Sequence, residues 1–180
     1  MFEATAVAIA GKNGILIPQV AWDASQEAGI GYAVACAVLM QESGGGRNVF
    51  GHDRDSKGYP RPMGRPSGVS LLVTAENYAA YLGERDAFLN DPAIGRRSNG
   101  VGPAQLTWYG LQDEADRLGG CWDPYANCLV AFRILRAHRE AQGNWTDAFH
   151  RYNGLDKPRS QYAEPVNADR LRWRKLLGGD

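Results

Sequence analysis

Nine consecutive apolar residues, Tyr32 to Met40, run into Gln41-Glu42-Ser43 and then into three glycines, Gly44 to Gly46. A helix that is apolar on every side belongs inside a core, because a surface helix keeps one polar face. The run is too short to cross a bilayer and leads straight into polar residues. The glycines, which tolerate left-handed backbone, supply the stop signal. The chain is therefore expected to wrap a core around one buried helix, with the Glu42 carboxyl standing at its exit. Burial disfavours the anion, and so does the partial negative charge at a helix C-terminus. Both predict a raised pKa for Glu42. A carboxyl that keeps its proton near neutral pH can hand it to a leaving oxygen. The competing reading is a solvated residue at a helix end.

At 180 residues the chain is expected to form a single domain, spanning 1–180, with enough length to bury a sizeable core. Twenty Lys and Arg balance twenty Asp and Glu, so no net field draws nucleic acid. The N-terminus lacks the basic region of a signal peptide. Synthesis in the cytoplasm is then expected, with export needing a partner. Three cysteines are an odd number. Cys36 reads as a buried thiol, while Cys121 and Cys128 are near enough in sequence for a disulfide that only geometry can decide. Neither they nor His52, His138 and His150 have the spacing of a zinc site, so no metal and no cofactor is expected.

Local patterning predicts an α+β fold, predominantly α-helical. Residues 4–17 alternate enough to suggest a hairpin turning at Asn13-Gly14. Pro18 opens a helix over 19–28, and the Glu42 helix follows Gly31. Residues 44–69, rich in Gly, Pro, Asp and Arg, read as a long loop or a small irregular β region. Residues 69–73 suggest a strand, Thr74 caps a helix, and 89–102 reads as loop. A short helix falls within 105–118. Asp123-Pro124 is a strong helix start, and that helix runs to about Ala141 with Cys128, Leu129, Phe132 and Leu135 on its buried face. Residues 146–151 continue helically to Tyr152-Asn153-Gly154, and 169–177 form a short amphipathic helix.

Four patterns now stand in order: Gln41-Glu42-Ser43-Gly44 after the apolar helix, Asn48-Val49-Phe50-Gly51, Gly102-Pro103-Ala104-Gln105-Leu106, and Tyr152-Asn153-Gly154. Asp123-Pro124-Tyr125-Ala126-Asn127 lies between the last two. Together they resemble the lysozyme-like lytic transglycosylases and goose-type lysozymes, in the form of phage endolysin catalytic domains. The resemblance covers about residues 19–155 and rests on the order of motifs that are each weak alone. It implies a lysozyme-like fold with a cleft for peptidoglycan glycan strands. The bond cut would be the β-1,4 link from N-acetylmuramic acid to N-acetylglucosamine, with Glu42 as general acid and then base. It implies that Ser43 hydrogen-bonds in the cleft, that Gln105 orients Glu42 or binds an N-acetyl group, and that Tyr152 and Asn153 contact the sugar. Trp108 and Tyr109 are the best candidates among the aromatic residues for stacking. Each has a plainer reading: Ser43 as a polar helix-end residue, Gln105 as an amide satisfying loop backbone, Asn153 as a turn residue, and the tryptophans as core. A monomer that reaches the wall through a holin-type pore is expected, with neither membrane insertion nor nucleic acid as a partner.

One departure bears on mechanism. The segment from Gly51 to Asn99 is longer than in the simplest members of that family and carries Asp53, Asp55, Glu76, Glu84, Asp86 and Asp91. An inverting hydrolase needs a second carboxylate about 6.5–9.5 Å from the acid to activate water. A lytic transglycosylase needs none, since the muramic acid 6-hydroxyl attacks and gives a 1,6-anhydro product. Asp53 is the first candidate for a second carboxylate, or else a residue capping a loop turn. Two further readings stay open at this point: a wall-binding or virion module without turnover, and an enzyme acting on chitin. A peptidase is disfavoured, since Cys36 is buried in a helix and no histidine has a nucleophile to serve.

Overall fold

The computed structural model describes residues 2–51, 71–87, 97–155 and 158–179. Among them are eight helices and one two-stranded antiparallel sheet, a predominantly helical α+β architecture. The helices are α1 (Glu3–Lys12), α2 (Pro18–Ala28), α3 (Tyr32–Ser43), α4 (Ala75–Ala87), α5 (Tyr109–Arg117), α6 (Pro124–Gln142), α7 (Trp145–Tyr152) and α8 (Ala163–Leu176). The strands β1 (Arg97–Val101) and β2 (Leu106–Trp108) lie between α4 and α5. Among the described residues no helix is long and apolar enough to cross a membrane.

α3 is the centre of the fold. Every residue from Tyr32 to Leu39 is buried, as a helix without a polar face requires. Gly44 ends it in left-handed backbone, and its N–H bonds back to Met40 O at 3.1 Å. α8 packs on α3, and α2 joins α3 to α6, on which α7 packs in turn. Pro18 at the first position starts α2, as its fixed φ favours. Asp123 caps α6 by accepting from the N–H groups of Tyr125 and Ala126, both at 2.9 Å. Asn144 caps α7 through Asp147 N, and the Thr74 hydroxyl accepts from Asn77 N at the start of α4.

Three expectations are corrected. Residues 3–12 are helix α1 and not one arm of a hairpin: Asn13 is its C-cap, and Gly14 turns the chain with φ 100°. A polar, glycine-containing stretch expected as loop is strand β1, which pairs with β2 through Arg97↔Trp108 and Val101↔Leu106 with an irregularity between. The C-terminal helix begins at Ala163, well before 169, and its Trp173 is fully buried. The disulfide left open above is absent: Cys36, Cys121 and Cys128 are buried free thiols, and burial pushes those of Cys36 and Cys121 up to about 12. Leu72 makes an isolated bridge with Val49, and Phe50 makes one with Val101. These bridges bring Asn48-Val49-Phe50-Gly51 against the end of β1.

Candidate active site

Glu42 is the penultimate residue of α3, half-buried, and lines a pocket of roughly 300 Å³. The wall is made by Glu42, Ser43, Gly44, Arg47, Val49, Phe50, Gly51 and Gln105. Three of the four ordered motifs therefore meet here although about 60 residues of chain separate the first from Gln105. The fourth stands behind the wall: Tyr152 donates its hydroxyl proton to Ala104 O at 2.7 Å, in the turn that carries Gln105.

That turn, Gly102 to Gln105, is fastened from every side. The Ser43 hydroxyl donates to Pro103 O at 2.6 Å and accepts from Gly46 N–H at 3.1 Å. The buried Asn127 amide accepts from Ala104 N at 3.0 Å and donates to Val101 O at 2.9 Å. A Cβ on Gly102 would come within 2.4 Å of Asn127 Nδ2, and its φ of 78° disfavours any other residue. Gln105 itself has φ 51°, which is uncommon for a residue with a side chain and is held by its surroundings. Its Nε2 donates to Gly102 O at 2.7 Å and to Val49 O at 2.9 Å. Both amide protons are thus spent on backbone, and Oε1 lies over Gly51 and Gly100. A Cβ on either would approach it to 2.7 or 2.5 Å. Beside it the buried Asn99 carries an Oδ1 with no hydrogen-bond partner among the described residues. A buried acceptor left unmet is a place that takes a donor.

Tyr162 was not legible as a site residue. It precedes α8, is 3% exposed, and donates its hydroxyl to Glu42 Oε1 across 120 positions of sequence. Burial, with the Glu42 charge second, holds the Tyr162 phenol well above the ordinary tyrosine value, so it stays a proton donor to that carboxyl. Tyr152 is raised in the same way, by burial first and Glu42 next. The signal would have been an aromatic residue opening a helix that packs on α3, and no local pattern marks it.

No protein-family model, curated protein or solved structure matches the chain. Ser43 and Gln105 line the pocket, and both also hold its wall together. Tyr109 is corrected: it is fully buried and gives its hydroxyl to Arg85 O at 2.8 Å, so it cannot stack on a ligand. It opens α5, and the turn into the helix points it inward. Trp108, its neighbour, is half-exposed at the end of β2 and is not part of this wall. Asn153 caps the C-terminus of α7, and its buried Nδ2 has no hydrogen-bond partner among the described residues. Asp53, Asp55 and Asp91 lie outside the described residues. Glu76 and Asp86 are exposed on α4. Among the described residues no group of three or more His, Cys, Asp or Glu could hold a metal ion.

Proposed function

We propose that this chain is a glycosidase of the bacterial cell wall with a lysozyme-like fold. It would cleave the β-1,4 bond between N-acetylmuramic acid and N-acetylglucosamine with Glu42 as its acid and base. The observation that carries the reading is the convergence of Glu42, Gln105 and the Asn48–Gly51 segment on one pocket, with Tyr162 bonded to the carboxyl. A proton donor, a fixed amide acceptor and an open cavity are what a glycosidic oxygen flanked by acetamido sugars requires.

The preferred route is lytic transglycosylation. Glu42 protonates the leaving oxygen as the bond to the muramic acid C1 breaks. The resulting carboxylate then takes the proton of the same sugar's 6-hydroxyl, whose oxygen closes on C1 to give the 1,6-anhydro ring. One carboxyl serves both halves. Tyr162 supports its anionic interval, because a hydrogen bond to a charged acceptor is stronger than one to a neutral acceptor. Gln105 Oε1 is suited to accept the N–H of an acetamido group. Hydrolysis would instead draw on a second carboxylate such as Asp53, and the products separate the two routes.

Glu42→Gln keeps the shape of the side chain and removes the titrating group. We expect lysis of cell walls to fall by about a thousandfold or more, with an unchanged circular dichroism spectrum and melting temperature. Wild-type lysis by that variant would remove the assignment.

A further inference from the structure

We infer that Arg47 selects the substrate of this pocket by binding a carboxylate carried by the glycan. It would thereby favour acid-bearing muramoyl chains over neutral polymers of N-acetylglucosamine. The inference rests on the glycosidase reading and names the chemistry that distinguishes its substrates.

Arg47 lines the same wall as Glu42 and is exposed there. Its backbone is clamped on both sides. On one side, a Cβ on Gly45 would come within 2.0 Å of Gly14 O, and one on Gly46 within 2.6 Å of Ile17. Gly45 O also accepts from Leu16 N–H at 2.8 Å, so the glycine turn lies flat against the α1–α2 loop. On the other side, the Asn48 side chain donates to Val73 O at 3.1 Å and to Trp122 O at 2.9 Å. The guanidinium therefore rides on a fixed stem and keeps only its rotamer freedom. Among the described residues no ion pair or side-chain hydrogen bond engages it, as with Arg117 and Arg151, whereas Arg85, Arg133, Arg136, Arg159 and Arg172 each pair with a carboxylate; what sets Arg47 apart is its place in the pocket wall. The neighbouring Glu42 Oε1 is taken by Tyr162.

A planar cation with no ion pair among the described residues, beside an acid in a pocket, fits a carboxylate, which it can hold through two parallel N–H bonds. The whole chain is neutral, so selection for an acidic polymer has to come from a local charge of this kind. Two sources offer the carboxylate: the lactyl group of bare muramic acid, and the stem peptide where one is attached. Chitin offers neither.

The test is a titration of the full chain carrying Glu42→Gln, with and without Arg47→Gln. The probes are a bare GlcNAc–MurNAc tetrasaccharide, its peptide-bearing form, and chitotetraose. The parent should bind at least one acidic glycan about fivefold more tightly than chitotetraose, the scale of an exposed ion pair, and the advantage should shrink with salt. Arg47→Gln should erase that advantage and leave chitotetraose binding unchanged. Loss on the bare glycan assigns the lactyl carboxylate, and loss only on the peptide-bearing glycan assigns the stem. Equal binding of all three glycans by the parent, or an advantage that survives Arg47→Gln, overturns the role of Arg47 while wall lysis by the wild type leaves the glycosidase reading standing. No binding of any glycan together with no wall lysis overturns both.

Discussion

The Arg85 cluster and the Glu42 pocket both gather polar side chains beside the same small sheet, and they differ in what those side chains meet. Arg85, 6% exposed, bonds to Asp113 at 2.9 Å, to Asp86 and Gln112 at 3.2 Å, and lies 4.9 Å from the centre of the Tyr109 ring. Gln112 carries the cluster on to the backbone of β1 and β2 through Asn99 O and Leu106 O. There the polar groups meet one another. Around Glu42 the bonds hold a wall in place, and Glu42, Gln105 and Arg47 line one pocket. The first arrangement satisfies its polar groups within the fold, and in the proposed function the second presents them to a glycan.

The comparison can be broken by substitution. Arg85→Met should have the largest effect on stability, about 3 kcal/mol, because it removes the hydrogen bonds and the ring contact of a guanidinium that is itself buried. Activity per folded molecule should survive, the reverse of Glu42→Gln, and urea denaturation beside a lysis assay reads both. Asn127→Ala should fall between the two regions. Removing its bonds to Ala104 N and Val101 O should cost about 2 kcal/mol and also lower turnover, since the turn bearing Gln105 loosens. An activity loss no greater than the loss of folded protein would mean that the turn does not serve the site. Tyr162→Phe deletes one hydroxyl, so kcat should fall about tenfold with little change in stability. Equal kcat would remove Tyr162 from the catalytic account. The smallest effect is expected for Tyr109→Phe, about 1 kcal/mol of stability from the bond to Arg85 O and no change in KM. A raised KM there would return Tyr109 to the cleft.

Much of the fold was legible because it is written in local chemistry. The Tyr32–Met40 run, its glycine stop and the Asp123-Pro124 cap each dictate an element without help from distant residues, and each element forms where expected. What failed depended on tertiary contacts. Asn13-Gly14 satisfies a hairpin turn and a helix C-cap equally, and the packing of α1 on α2 decides for the helix. Arg97–Val101 lacks alternation and becomes a strand only because β2 and Phe50 offer it partners. In the site, the motifs named Glu42, Ser43 and Gln105. They did not show that the Ser43 hydroxyl bridges to Pro103, while the plainer reading of Gln105, an amide satisfying loop backbone, is what its Nε2 does. Tyr109 was misplaced because closeness to Gln105 in sequence ignores the strand between them. Tyr162 was missed because its partner lies 120 positions away.

The central claim is that Glu42 alone carries the proton in both halves of a glycosidic cleavage. Mass spectrometry of purified peptidoglycan digested by the wild type and by Glu42→Gln tests it most directly. The account predicts fragments ending in 1,6-anhydromuramic acid from the wild type and none from the variant. Fragments ending in reducing muramic acid would contradict it and require a second carboxylate. Fragments of either kind from Glu42→Gln would contradict the role of Glu42 itself.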